Sequence, residues 1–222
     1  MTWEPGDAST LEVSAFRSDV RDEIVFVASR SAAGFFRNIP RTRRQGVEIS
    51  ARAAIPKQVR IFASYAYLDA EYRSGVRLAS AIPNSKPALP GDRFPLAPAH
   101  RGSAGLGVAK LAGSLVLDAE IAVNAVSRQF LRGDDANDFA PLDGYATTGL
   151  RFAVEHPRVA VTAHIVNLFG RRYETFGIFA ENPRGQIGGP VPSTASVERF
   201  LTPGYPRSVT VSLRLFARAG HP

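Results

Sequence analysis

Gly46-Val-Glu-Ile-Ser-Ala-Arg-Ala-Ala-Ile55 sets Val47, Ile49, Ala51, Ala53 and Ile55 against Glu48, Ser50 and Arg52. Side chains alternate across an extended chain, so period two gives one apolar and one polar face. Ser114–Ser127 repeats the pattern. Leu115, Leu117, Ala119, Ile121, Val123 and Ala125 face one way, and Ser114, Asp118, Glu120 and Asn124 the other. Thr147–Glu155 and Arg207–Leu215 do so again. Weaker alternation marks Thr10–Ser18, Glu23–Ser29, Val59–Tyr72, Arg101–Leu111, Val159–Asn167 and Tyr173–Phe179. The expectation is an all-β, antiparallel chain of about ten strands.

Several of these strands run well beyond the roughly five or six residues of a soluble strand. They match the roughly 9–11 residues of a tilted membrane-crossing strand. Short turns are expected at Pro56-Lys-Gln, Ala112-Gly113 and His156-Pro-Arg. Long Pro- and Gly-bearing loops are expected over Arg30–Pro40, Ser74–Ala99, Leu131–Asp143 and Ala180–Pro206. Long alternating strands with uneven loops describe a transmembrane β-barrel. A soluble β-sandwich is the alternative.

Composition narrows the function. The chain has 222 residues, 45% hydrophobic and 21% charged, enough apolar content for a core or a lipid face. Its longest clear apolar run, Ile24–Ala28, is far too short for a membrane helix. Without cysteine there is no disulfide, thiol catalysis or Cys-zinc site. The net charge of +7 comes from 24 Arg and 3 Lys spread along the chain, so no nucleic-acid partner is expected. Met1-Thr-Trp-Glu-Pro-Gly-Asp7 lacks the features of a signal peptide.

No catalytic constellation stands out. Gly102-Ser-Ala-Gly105 has the wrong spacing for a nucleophile elbow, and Gly105-Leu-Gly107 lacks the rest of a dinucleotide fingerprint. Asp134-Asp-Ala-Asn-Asp138 clusters oxygen ligands but lacks the EF-hand glycine and glutamate, so a solvated loop is expected there. No metal site, cofactor or enzymatic activity is expected. Arg52, Asp118, Glu120, Asn124, Arg151 and Arg214, on the polar strand faces, are candidates to line a lumen.

Six segments carry a family resemblance. They are Arg41-Thr-Arg-Arg44-Gln-Gly46-Val-Glu48, the tract Ala63-Ser-Tyr65-Ala-Tyr67-Leu68-Asp69-Ala70-Glu-Tyr72, and Pro98-Ala-His100-Arg101. Gly133-Asp-Asp-Ala-Asn137 with Leu142-Asp-Gly-Tyr145 follows. Then come Val166-Asn167-Leu168-Phe169-Gly-Arg-Arg-Tyr173-Glu174 and Pro203-Gly-Tyr-Pro-Arg207. Together, and in this order, they resemble the C-terminal half of the barrel of TonB-dependent outer-membrane receptors, with wording closest to the siderophore-receptor branch.

The resemblance implies that residues 1–222 are the C-terminal segment of a 22-stranded barrel. The plug and the earlier strands would be missing. It implies residence in the Gram-negative outer membrane, lipid around the barrel and a siderophore-like small-molecule ligand. The energy-coupling TonB complex would be reached only through the missing plug. Counting strands back from the end places the Asn167–Tyr173 turn in the periplasm and Ala180–Pro206 outside the cell. Family chains end on an aromatic residue, whereas six residues follow Phe216 here. An open sheet in lipid leaves unpaired edges, each group costing several kcal/mol. Three states therefore stay open: a segment of a longer gene, a small closed ten-stranded barrel with a structural or pore role, or a decayed remnant.

Overall fold

The structure is a computed structural model that describes residues 2–3, 9–28, 34–54, 58–78, 80–182 and 197–216. Strands β1 (Thr2–Trp3), β2 (Ser9–Ala28), β3 (Gly34–Ala54) and β4 (Val59–Tyr72) come first. Then follow β5 (His100–Ala112), β6 (Leu115–Val126), β7 (Tyr145–His156) and β8 (Val159–Val166). The last are β9 (Glu174–Glu181), β10 (Val197–Pro203) and β11 (Ser208–Leu215). Nine strands form one antiparallel sheet, β1 to β8 in chain order with β11 beside β8; β1 and β11 are its edges. β9 and β10 pair with each other as a separate hairpin.

Setting aside the two-residue β1, there are ten strands, as the alternation predicts, but two errors cancel in that count. Thr10–Ser18 and Glu23–Ser29 belong to one 20-residue strand, β2. Most of the loop expected over Arg30–Pro40 is the start of β3. Pro40 suggested a break because it has no N–H to donate. Its place opposite Asp22 is the one gap in the β2–β3 ladder, and Asp22 takes φ 53° there. Conversely, β10 lies inside the loop expected over Ala180–Pro206, because Val-Glu-Arg-Phe-Leu-Thr-Pro does not alternate. Of the Pro56-Lys-Gln turn, Pro56 and Lys57 lie outside the described residues.

The connections sort by length onto the two ends of the sheet. Two-residue turns at 113–114 and 157–158 share one end with the last residue of β3, Ala54, and the first of β4, Val59. The segments 73–99 and 127–144 share the other. Val166 pairs with Ser208, so the Asn167–Tyr173 turn, the β9–β10 hairpin and the return to β11 all lie at the long-loop end. This corrects the expected sidedness. The strand count had treated β9 as crossing the sheet, whereas it stacks on the long loops: Arg132 bridges Ile178, and Gln129 Nε2 donates to Thr175 O at 3.1 Å. Short turns face the periplasm in outer-membrane barrels, so the barrel that the resemblance implies has its long-loop end outside.

Burial follows the same division. One buried cluster holds Ile39, Tyr72, Val76 and Ala88, packed by Val25, Leu78 and Phe94. A second holds Leu131, Leu142 and Phe179, packed by Ile82 and Val197. Both lie at the long-loop end. The apolar sheet face is left open: Ile121 is 41% exposed, Phe152 47% and Val211 68%. A sandwich would bury this face under a second sheet. Among the described residues nothing covers it, and the sandwich alternative fails.

Candidate functional site

Strand register assembles each face in lateral rows. On the polar side Glu12, Ser50, Ser64, Ser103, Asn124 and Thr147 fall side by side across β2 to β7. Ser50 Oγ donates to Glu12 Oε2 at 3.2 Å, and Ser64 and Ser103 share a hydroxyl contact of 2.7 Å. The sheet bends around this side into a concavity of about 670 Å³, which Glu48 and Arg101 also line.

Below that row, Arg60 reaches from β4 over β5 to Asp118 on β6. Its Nη2 meets Asp118 Oδ2 at 2.6 Å, and Arg151 Nη1 meets Asp118 Oδ1 at 2.6 Å from β7. The glycine at 107 makes the crossing possible, since a Cβ there would stand 2.8 Å from Arg60 Nη2. At Gly105 a Cβ would stand 2.2 Å from the Phe62 ring. The Gly105-Leu-Gly107 spacing, empty as a nucleotide motif, thus clears the polar face for two long side chains. Asp118 keeps only 12% of its side chain exposed.

Of the candidate lumen residues, Asp118 and Arg151 are joined directly and Glu120 is the strand partner of Arg151. Asn124 sits on the concavity. Arg52 lies on the same face between Thr10 and Phe62, and Arg214 lies opposite Ala160 near the far edge, so neither joins the cluster. Arg60 completes the network and was not singled out from the sequence. Its strand, Val59–Tyr72, alternates weakly, but Arg60 shares parity with Ser64.

The residues that carry the family resemblance divide into three places. Tyr65, Tyr67 and His100 meet on the apolar face: the Tyr65 hydroxyl and His100 Nδ1 are 2.7 Å apart, and the Tyr67 and His100 rings are centred 5.3 Å apart. Such rings form the girdle of a membrane barrel at the lipid–water boundary. Arg44 grips both oxygens of Glu23, at 3.0 and 2.6 Å, and its guanidinium lies 4.9 Å over Phe94. Ala70, its partner on β4, is buried, while Asp69 on the opposite face accepts Gln45 Nε2 at 3.1 Å. Gly46 lies under the Phe16 ring and opposite Leu68, and a Cβ there would meet Tyr67 O at 2.1 Å. Glu48, two residues on along β3, opens onto the concavity.

The third place is the turn after β8. Asn167 is 1% exposed with φ 50°. Its Nδ2 donates to Arg171 O at 2.8 Å and Tyr205 O at 3.0 Å, and its Oδ1 accepts Arg171 N–H at 2.9 Å. Leu168 N–H donates to Thr148 O, Phe169 is exposed, and Tyr173 packs on Tyr145 with ring centres 4.3 Å apart. These contacts fasten the turn to the sheet.

The aspartate-rich tract differs from the solvated loop expected. Asp134 is buried and accepts Asp138 N–H at 2.9 Å and Phe139 N–H at 3.1 Å. Asp135 Oδ1 accepts the Tyr72 hydroxyl at 2.6 Å, and Asp138 pairs with Lys86 at 2.6 Å. Burial pushes the Asp134 and Asp135 carboxyls above the usual aspartate range. Asp138 holds the Lys86 ammonium above its ordinary value. Among the described residues no group of three or more His, Cys, Asp or Glu is placed to hold a metal. Tyr72 and Phe94, which cap this tract with rings 4.3 Å apart, carry no sequence signal beyond their aromatic character.

Comparison with known proteins agrees with this geometry. Residues 1–168 match the family model described as TonB dependent receptor-like, beta-barrel. The metal-pseudopaline receptor CntO of Pseudomonas aeruginosa is 27% identical over 197 residues, covering 86% of this chain and 23% of the receptor. Among solved structures, the ferric yersiniabactin uptake receptor FyuA from Yersinia pestis superposes with a TM-score of 0.69 at 19% identity, over 96% of this chain and 28% of that one. The siderophore receptor PiuA from Acinetobacter baumannii gives 0.64 at 17% identity, over 96% and 26%. The chain thus spans about a quarter of the length of these relatives, which are receptors rather than enzymes. Members of this family are β-barrels of the Gram-negative outer membrane, which is where the open apolar face belongs. The chain belongs to the TonB-dependent receptor-like β-barrel family.

Proposed function

We propose that this sheet is one arc of the wall of an outer-membrane receptor that takes up a chelated metal ion, with a siderophore-like small molecule as the chelator. The observation that carries the proposal is a two-faced sheet that, among the described residues, has nine strands and two unpaired edges, in a chain of this family. Unpaired strand edges do not persist in hydrocarbon, so the arc needs further strands to close. We assign those strands, and the plug that couples to the TonB complex, to polypeptide other than the sequence described here. The apolar face meets lipid. The polar face, with Arg52, Asp118, Glu120, Asn124, Arg151 and Arg214, lines the lumen around the plug. The relatives, a metal-pseudopaline receptor and a ferric yersiniabactin uptake receptor, support the ligand class.

The test is uptake by cells of the source strain starved for iron or zinc. Deleting the coding segment for residues 9–216 is expected to abolish accumulation of the radiolabelled metal supplied with the strain's own culture chelators. Unchanged accumulation of each metal would overturn the assignment.

A further inference from the structure

Above the aromatic girdle the outward wall changes from apolar to charged at one level on three strands. Ala15, Val47 and Tyr67 lie side by side, and Arg17, Gln45 and Asp69 form the next row up. Asp19, Arg43 and Glu71 follow, and these rows are largely neutralised from within. Asp19 receives Arg17 at 2.9 Å and Arg43 at 2.7 Å, Glu71 receives Arg73 at 3.0 Å, and Arg93 stands 3.8 Å from Asp69.

The next row is different. Arg21 is the direct strand partner of Arg41, and Arg73 N–H donates to Arg41 O, so three arginines stand abreast on β2, β3 and the end of β4. All three are exposed. Neither Arg21 nor Arg41 has a carboxylate partner among the described residues, and Arg73 shares Glu71 only at its own edge. Like charges directly opposite one another destabilise a sheet, so such a row stands against the sheet's own interest unless an anion lies across it.

Its height says which anion. The row is six residues above Tyr67, or about 20 Å along a strand at ~3.4 Å per residue. With the strand tilt of a membrane barrel, that is about 15 Å above the girdle. The headgroup layer of an ordinary phospholipid is only about 6 Å deep. Glycerophospholipid phosphates therefore stop at the neutralised rows, whereas phosphates carried on a sugar core reach the arginines.

We infer that Arg21, Arg41 and Arg73 form a docking site on the outer wall for the phosphorylated sugar headgroup of an outer-leaflet glycolipid. The inference rests on the barrel-wall reading and concerns the lipid side of the wall, away from any transported ligand. Planar guanidinium groups suit it, since each presents paired donors to phosphate.

The test uses the receptor extracted from outer membranes in mild detergent, with lipid retention read by native mass spectrometry. The variant carries R21Q, R41Q and R73Q together. Wild type is expected to retain the phosphorylated-core glycolipid at least about tenfold better than the variant, while both keep heat-modifiable migration. Wild type should hold glycolipid with a dephosphorylated core, phosphatidylglycerol and inorganic phosphate no better than the variant does. Equal retention of phosphorylated glycolipid by both proteins would overturn the site, as would a preference for phosphatidylglycerol. If wild type is recovered only in aqueous fractions, the wall reading fails first and takes this site with it.

Discussion

Arg60 and Asp118, 58 residues apart in the chain, meet at 2.6 Å across a strand that belongs to neither of them. The contact depends on an absent side chain, that of Gly107. Gly107→Ala is therefore expected to turn the guanidinium aside rather than to break the sheet. A double-mutant cycle of Gly107→Ala with Arg60→Gln should show a coupling of about 0.5–1 kcal/mol, the range for a half-exposed pair. Gly105→Val should cost more, about 1–3 kcal/mol, because its Cβ meets the Phe62 ring at 2.2 Å and the Ile121 carbonyl at 2.9 Å. Denaturant unfolding in detergent checks both, and additive single effects for the first pair would contradict the crossing.

Asn167 fastens the turn after β8 with three hydrogen bonds from a fully buried amide. Asn167→Ala leaves the Arg171 N–H and two carbonyls without this partner, and should cost about 1–3 kcal/mol. Its φ of 50° adds strain for alanine. Limited proteolysis should show faster cleavage within 167–173, with the strands still protected. Unchanged cleavage would mean that the turn is held by something other than Asn167.

The buried aspartates give the outer loops a pH dependence of definite sign. Burial, the largest cause for both, raises the folded-state carboxyls of Asp134 and Asp135 above the ordinary value of 3.8. Below that value both folded and unfolded loops are protonated. As pH rises through it the unfolded loop ionises first, so stability falls until the raised folded value is passed. Amide exchange across 131–142, corrected for its intrinsic pH dependence, should show protection declining as pH rises above about 4. Asp135→Asn should flatten part of that decline. Protection that rises with pH and is indifferent to this substitution would contradict the assignment.

Much of the wall is legible in the sequence because a strand with one apolar face writes its register into its own alternation. Gly46–Ala54 and Leu115–Val126 sit in the sheet with the faces their residues predict, Ile55 lying outside the described residues. What is not legible lies at the outer end. Asp19-Val-Arg-Asp22 falls between two predicted strands because its charges break the alternation, yet Asp19 is matched by Arg43 across the ladder and β2 continues. The burial of Tyr72 by Phe94, and the placement of β9 on the loops rather than across the sheet, depend on contacts between residues far apart in the chain. Local period carries no trace of them. The motif positions illustrate the same limit. Tyr65 and His100 mark a boundary and Asn167 ties a turn, so most of the resemblance records how the wall is built rather than what passes through it.

Because residues 1–222 contain no cysteine, a single cysteine on β6 is the one label site this chain adds, and the unsubstituted receptor is the control that reports the central claim's background. Spin labels at positions 119 to 124, placed one at a time in the membrane-inserted receptor, would be tested for collision with oxygen and with a water-soluble nickel chelate. The sheet predicts period two: Ala119, Ile121 and Val123 facing oxygen-rich lipid, Glu120, Ala122 and Asn124 facing the aqueous lumen. Equal accessibility along the stretch, or alternation in the opposite phase, would contradict it.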